Sequence, residues 1–337
     1  MIESNQRNQS PTPRLILRRP SELAAIKAVS WRIEDILPDG MLALLHAQDK
    51  VGKTLLAWEM ARAVVTGTEF LDTFPTTQGK VVLVLLDDPT ELTRERCHAF
   101  GLSENEDVRL VTPNEVASMS EPGRVIGDLA TVCSAFSPQL VVIDALYLFG
   151  PTGKDAMNDV SRMRPLMTKF NDLAQSLQAA VVVIAHDKKS GETVAGSHAI
   201  TASAKALLHL TISERNTHEA SESGQRVLEI KSKMTRPARH LLSLEGAGDW
   251  RYIGPADSNG QLRQASIRDR VLEFLHANRE ASSTQLATAL RVRKADILLT
   301  VEELEEQEVI KVCPRPRIDG KKGRPAKVYV WLDATIN

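Results

Sequence analysis

Gly52-Lys53-Thr54 is the tripeptide in this chain best suited to chemistry, because of what surrounds it. An apolar run from Met41 to Leu45 precedes it, and Leu56, Met60 and Val64 follow at helical spacing. Strand, short loop, then helix with Lys-Thr at the turn is the arrangement that binds phosphate through backbone N–H groups and a helix N-terminus. Gln48, Asp49, Lys50, Val51, Gly52, Lys53, Thr54 and Leu55 are therefore the expected nucleotide cradle. Lys53 is expected to reach the β- and γ-phosphates of ATP, and the Thr54 hydroxyl to ligate Mg²⁺. One position departs from the phosphate-loop pattern: Ala47 stands where a glycine is usual.

Such a cradle needs acidic and basic partners at neighbouring strand ends. Asp144 closes the apolar run Leu140-Val141-Val142-Ile143 and is the expected metal-holding carboxylate. Asp87 ends Lys80–Leu86 and is the candidate for orienting water, with Asp88 as its rival, since alternate strand residues face opposite ways. His186 follows Ala180–Ala185, either sensing the γ-phosphate or sitting as a core-edge histidine. Lys231, Lys233 and Arg236 end a later strand. They are either cations acting on a neighbouring subunit's phosphate or a solvated strand end.

The elements that would position these groups alternate. Strands are expected at 80–86, 108–112, 140–144, 180–185, 207–211, 227–233 and 240–244, with helices near 90–100 (capped by Thr90), 124–136 and 159–177. Runs apolar at nearly every residue suit a parallel sheet covered on both faces. The fold class expected for residues 30–256 is thus α/β, with ligands at the carboxyl ends of the strands. Residues 1–29 read as an arm, with order beginning near Trp31, and 257–264 as a polar linker.

From residue 265 the texture changes. Ile267, Val271, Phe274 and Leu275 mark a helix, Ser283 is placed to cap a short second one, and a third covers 294–307. Strands at 309–313 and 327–332 complete the order of a winged helix-turn-helix. Between residues 309 and 328 there are seven positive charges against one negative, in a chain whose net charge is −1. Arg293, Lys294, Arg315, Arg317, Lys321, Lys322 and Arg324 are the expected DNA contacts. A protein-binding winged helix with a solvated basic loop is the alternative.

Composition agrees with a well-cored protein: 337 residues, 42% hydrophobic and 25% charged. Cys97, Cys133 and Cys313 have no metal or disulfide spacing, and no apolar run is long enough for a membrane span. A cytoplasmic location is expected.

The order of these features resembles the RecA-like ATPases of the plasmid RepA-type helicase family, which share a core with the DnaB helicases. The likeness covers about residues 30–245. It rests on Trp31…Ile36-Leu37-Pro38-Asp39-Gly40, on Gln48–Thr54, on Leu86-Asp87-Asp88-Pro89, on His186 with Lys189, and on Gly196-Ser197-His198-Ala199-Ile200. It implies a homo-oligomeric ring or filament, Mg·ATP hydrolysis between subunits, Asp87 in the place of a catalytic glutamate, and DNA in a ring channel; the appended winged helix, expected to hold DNA on its own basic residues, departs from the smallest members of that family. Ala195 stands where that family has an arginine, and Lys205 where it has an acid.

Overall fold

The computed structural model describes residues 18–23, 28–116, 122–153, 155–188, 193–213, 224–246, 248–262, 267–315 and 326–331. It divides into two compact units, Met1–Leu262 and Arg263–Asn337.

The first unit opens with a short helix, α1 (Pro20–Leu23), and a small hairpin of β1 (Trp31–Ile33) and β2 (Leu37–Pro38). Ile33, Ile36 and Leu37 are fully buried, so this lead-in is clamped to the core. Then come β3 (Leu42–Ala47), α2 (Lys53–Thr66), β4 (Val81–Leu85), α3 (Thr90–Ala99), β5 (Val108–Val111), α4 (Pro122–Phe136) and β6 (Leu140–Asp144). The unit continues with α5 (Val160–Leu177), β7 (Ala180–His186), α6 (His198–Ser203), β8 (Ala206–Ile212), β9 (Gln225–Ser232), β10 (Ala238–Glu245) and β11 (Asp249–Pro255).

Nine strands form one sheet in the order β11-β10-β9-β8-β3-β7-β6-β4-β5. From β8 to β5 every pairing is parallel. From β8 to β11 every pairing is antiparallel. Two cores cover the faces. Ala43, Leu45 and Ala47 pack with Leu56 and Met60 of α2, whereas Leu42 and Leu44 pack with Met163 and Phe170 of α5 and Ile200 of α6. That period-2 split explains why β3 reads as an unbroken apolar run.

Several details differ from the sequence expectation. Strand β11 was not expected; its alternating exposure suits an edge strand with one solvated face. Thr90 is the first helical residue of α3 and not its cap; its hydroxyl pairs with that of Thr112 at 2.9 Å. Asp257–Leu262 is not a free linker. Ser213 donates to the Gly260 carbonyl at 2.9 Å, and Arg239 to that of Ser258 at 2.7 Å.

The second unit contains α7 (Ile267–Asn278), β12 (Glu280–Ser282), α8 (Ser283–Leu290), α9 (Lys294–Glu306), β13 (Ile310–Arg315) and β14 (Ala326–Trp331). Val271, Leu275, Leu286, Ile297, Val301 and Leu304 bury its core. Instead of a two-stranded ribbon the sheet has three strands, β12-β14-β13. The α8 cap is Ser282, one residue earlier than expected, because Gln285 completes a reciprocal capping box with it. Among the described residues no helix is long and apolar enough to cross a membrane.

Candidate functional site

The loop between β3 and α2 lies at the carboxyl end of the central strand, and the ends of β4, β6 and β7 lie beside it on the same rim. Gly52 takes the left-handed region at φ 112 as the residue before α2. A Cβ there would meet Leu244 Cδ2 and Trp250 Cζ2, each at 3.1 Å. The β10–β11 hairpin thus packs tightly against the loop, and a Cβ at this position would oblige those side chains to give way by a few tenths of an ångström. Gly52→Ala is expected to lower stability by about 1–3 kcal/mol through backbone strain alone. Chemical denaturation measures this, and an unchanged midpoint would show that the loop relaxes to a backbone conformation that alanine tolerates. From β9, Arg226 adds a second brace, its buried Nε donating to the Val51 carbonyl at 3.0 Å.

Lys53 is buried, and its ammonium donates to the carbonyls of Gln48 at 2.8 Å and Ala47 at 3.1 Å. Burial pulls its pKa down, against the opposing pull of Asp49, Asp144, Asp187 and Asp87. Thr54 donates from Oγ1 to Asp144 Oδ2 at 2.6 Å, which joins the start of α2 to the end of β6. Burial pushes the Asp144 carboxyl up; the Thr54 bond and Lys53 counter this, while Asp88 and Asp87 add to it. A buried carboxylate held by a hydroxyl and flanked by other carboxylates is a cation-seeking arrangement.

Asp87 and Asp88 have different partners. Asp88 is ion-paired with Arg96 of α3, and the Tyr147 hydroxyl donates to Asp87. Burial, followed by Asp87 itself, pushes the Tyr147 phenol up to about 12. His186 pairs through Nδ1 with Asp49 of the loop and meets the Tyr147 ring edge-on, with centroids 5.7 Å apart. Tyr147 had no signal of its own in the sequence; only its place three residues beyond Asp144 could have raised it.

Lys233 and Arg236 are exposed, and they are on the far rim. The Lys233 N–H donates to the Lys205 carbonyl, and the Lys205 N–H to that of Leu42, at the beginning of β3. The six residues of β3, about 20 Å at 3.3 Å per residue, separate this turn from the loop of the same chain. Sequence reading brought Asp87, Asp144, His186 and Lys53 to one rim, and the structure places them there. Lys189 lies outside the described residues.

In the second unit Arg293 pairs with Asp296 at 2.9 Å, and Lys294 donates to Thr284 at 3.0 Å. Arg317, Lys321, Lys322 and Arg324 lie outside the described residues, and of Arg315 only the backbone is described.

Parallel strands around a lysine-bearing phosphate loop, with a threonine–aspartate contact at its mouth, define a P-loop ATPase of RecA-like fold. Comparison with solved structures supports that fold. A KaiC-like protein from the hyperthermophilic archaeon Pyrococcus horikoshii OT3 matches with a TM-score of 0.50 at 15% identity, over 66% of this chain and 93% of that one. The chain belongs to the AAA domain family, whose model matches residues 10–192. A comparison with curated proteins gave no match.

Proposed function

We propose that this protein is a DNA-associated ATPase that works as an assembly of copies, related in design to the RepA-type helicases. The observation that carries the ATP part is the Thr54–Asp144 contact beside the buried Lys53. Thr54 and Asp144 would hold Mg²⁺ at that contact, since a hydroxyl and a buried carboxylate are the oxygen donors a hard cation takes. The bound ion would neutralise phosphate charge. Gln48 to Leu55 would surround the phosphates with backbone N–H groups. Lys53 would exchange its two carbonyl partners for phosphate oxygens. Asp87, or Asp88 once released from Arg96, would orient water, and His186 would report on the γ-phosphate through Asp49.

The DNA part rests on the second unit, read as a winged helix with a basic segment between residues 311 and 327. On α9 the exposed middle carries Leu298 and Leu299, and beyond them Glu302, Glu303 and Glu306. Backbone phosphate would therefore approach the Arg291–Lys294 end and the basic segment, not the centre of that helix. Removing residues 263–337 is expected to weaken duplex DNA binding by at least about tenfold near 0.1 M salt and to flatten its salt dependence. ATP affinity should be unchanged. Fluorescence anisotropy over a salt series measures both, and an unaltered salt slope would remove DNA contact from this unit.

A second reading is an ATP-gated DNA-binding regulator with slow hydrolysis. It is favoured by Asp87, which is one methylene shorter than a glutamate and already bonded by Tyr147. ATPase turnover with and without single- and double-stranded DNA, together with strand displacement, separates the two. DNA-stimulated turnover with unwinding supports the motor; ATP-dependent DNA binding without unwinding supports the regulator.

A further inference from the structure

Hydrolysis gives Tyr147 no task, yet its hydroxyl stands where an attacking oxygen would. Tyr147 lies in the turn that follows β6, three residues past Asp144, and its side chain is half-exposed. Its O–H donates to Asp87, two residues past the end of β4. Leu85 and Asp144 are register partners on these adjacent parallel strands, so both groups leave the same stretch of the rim. The phenol is surrounded by Asp87, Asp144 and Asp88, and two of these, Asp87 and Asp144, also pull on the Lys53 ammonium. On its other side the ring meets His186 edge-on, and His186 pairs with Asp49 of the phosphate loop.

A neighbouring polar cluster differs in kind. Asp187, its side chain fully buried, lies 2.7 Å from His46 Nδ1 and 3.0 Å from His209 Nε2, and these three groups are spent on one another. Tyr147 instead opens onto a cavity of about 490 Å³, lined also by Met157, Asn158 and Lys188, which leaves space for an added group. Phosphoryl transfer to an alcohol uses a carboxylate that accepts the hydroxyl proton. Nucleophile and base within hydrogen-bond reach are the geometric sign of such a pair. Asp87 and Tyr147 have that relation. Burial, followed by Asp87, pushes the phenol up to about 12, so the oxygen keeps its proton until attack and passes it to Asp87 within the transfer.

We propose, resting on the nucleotide reading of the phosphate loop, that Tyr147 is a phosphoryl acceptor and takes the γ-phosphoryl group of ATP. The Tyr147 oxygen forms a bond to the γ-phosphorus, the bond from that phosphorus to the β–γ bridging oxygen breaks, and ADP leaves. The phenolic proton goes to Asp87. The shorter side chain of Asp87, compared with glutamate, leaves a gap that the phenol oxygen fills in place of water. Once formed, the aryl phosphate is repelled by Asp87 and Asp144, and Lys188 on the wall of the same cavity offers it a cation.

The test incubates the full chain with Mg²⁺ and ATP, follows intact mass, and maps the modified peptide by tandem mass spectrometry. One phosphoryl group per chain is expected, on Tyr147 and stable to mild alkali, as an aryl phosphate is and an acyl phosphate on Asp87 is not. Tyr147→Phe should lose this group while still binding a fluorescent ATP analogue, which shows that ring and loop are intact. Asp87→Asn should slow the transfer by about 10²- to 10⁴-fold, the contribution of a positioned base. If wild type binds no ATP, the nucleotide reading falls and takes this proposal with it. ATP binding without a phosphoryl group on Tyr147 overturns the proposal alone. So does a phosphoryl group that Tyr147→Phe retains, or a transfer rate that Asp87→Asn leaves unchanged.

Discussion

Lys53→Ala is expected to weaken ATP binding by about 10- to 100-fold while leaving the fold in place. The ammonium would make charge-assisted hydrogen bonds to phosphate, each contributing about 1.5–3 kcal/mol. One such bond lost in full already reaches that range. Stability should respond far less. Lys53 is buried, with burial acting against its charge, and what it returns is two hydrogen bonds to the Gln48 and Ala47 carbonyls. Desolvation and hydrogen bonding oppose each other here, so the net change on unfolding should be about 1 kcal/mol or less. Equilibrium titration with a fluorescent ATP analogue, run beside urea unfolding without nucleotide, reads both quantities. Unchanged ATP affinity would mean the loop does not bind triphosphate at all. A large loss of stability with it would mean that Lys53 is a structural residue.

The contrast between Lys53 and the His46–Asp187–His209 cluster shows what a sequence can carry. The phosphate loop was legible because its signal is local: an apolar strand, a short loop and a helical period within about two dozen residues, each reinforcing the others. Strand-end carboxylates could be ranked because parallel α/β sheets gather such ends on one rim. The cluster has no comparable signature. His46 and His209 are far apart in sequence and become neighbours only through the β3–β8 register. Each interrupts an apolar run in a manner that a strand tolerates anywhere. Asp187 was visible only as the neighbour of His186. Similar limits apply to Gly52. Its glycine fits the loop pattern, but the tight packing that a Cβ would meet comes from Leu244 and Trp250, on a hairpin whose second strand was not expected. Ser282 and Ser283 could not be told apart as caps until the Gln285 side chain chose between them.

The far-rim placement of Lys233 and Arg236 leads to a larger expected effect. In an isolated chain neither residue can reach its own nucleotide, because the length of β3 lies between them. If they act on phosphate, they act on that of a neighbouring copy, where a cation aimed at the transferring group is worth about 10³- to 10⁵-fold in rate. Arg236→Ala is therefore expected to cut ATPase turnover by about 10³-fold with ATP affinity per site nearly unchanged. Lys233→Ala should have a smaller effect of the same kind, since a lysine presents a point charge and not a planar fork. Mixing makes the test decisive. Lys53→Ala retains the cationic turn but loses its own loop, whereas Arg236→Ala retains its loop but lacks the cation. A mixed assembly of the two brings an intact turn against an intact loop at some interfaces, so turnover should rise well above that of either variant alone. If each variant is inactive and the mixture stays inactive although the two co-assemble, the cations do not act between copies. If Arg236→Ala alone keeps full turnover, the turn is simply the solvated end of β9, and the catalytic charge must come from the near rim.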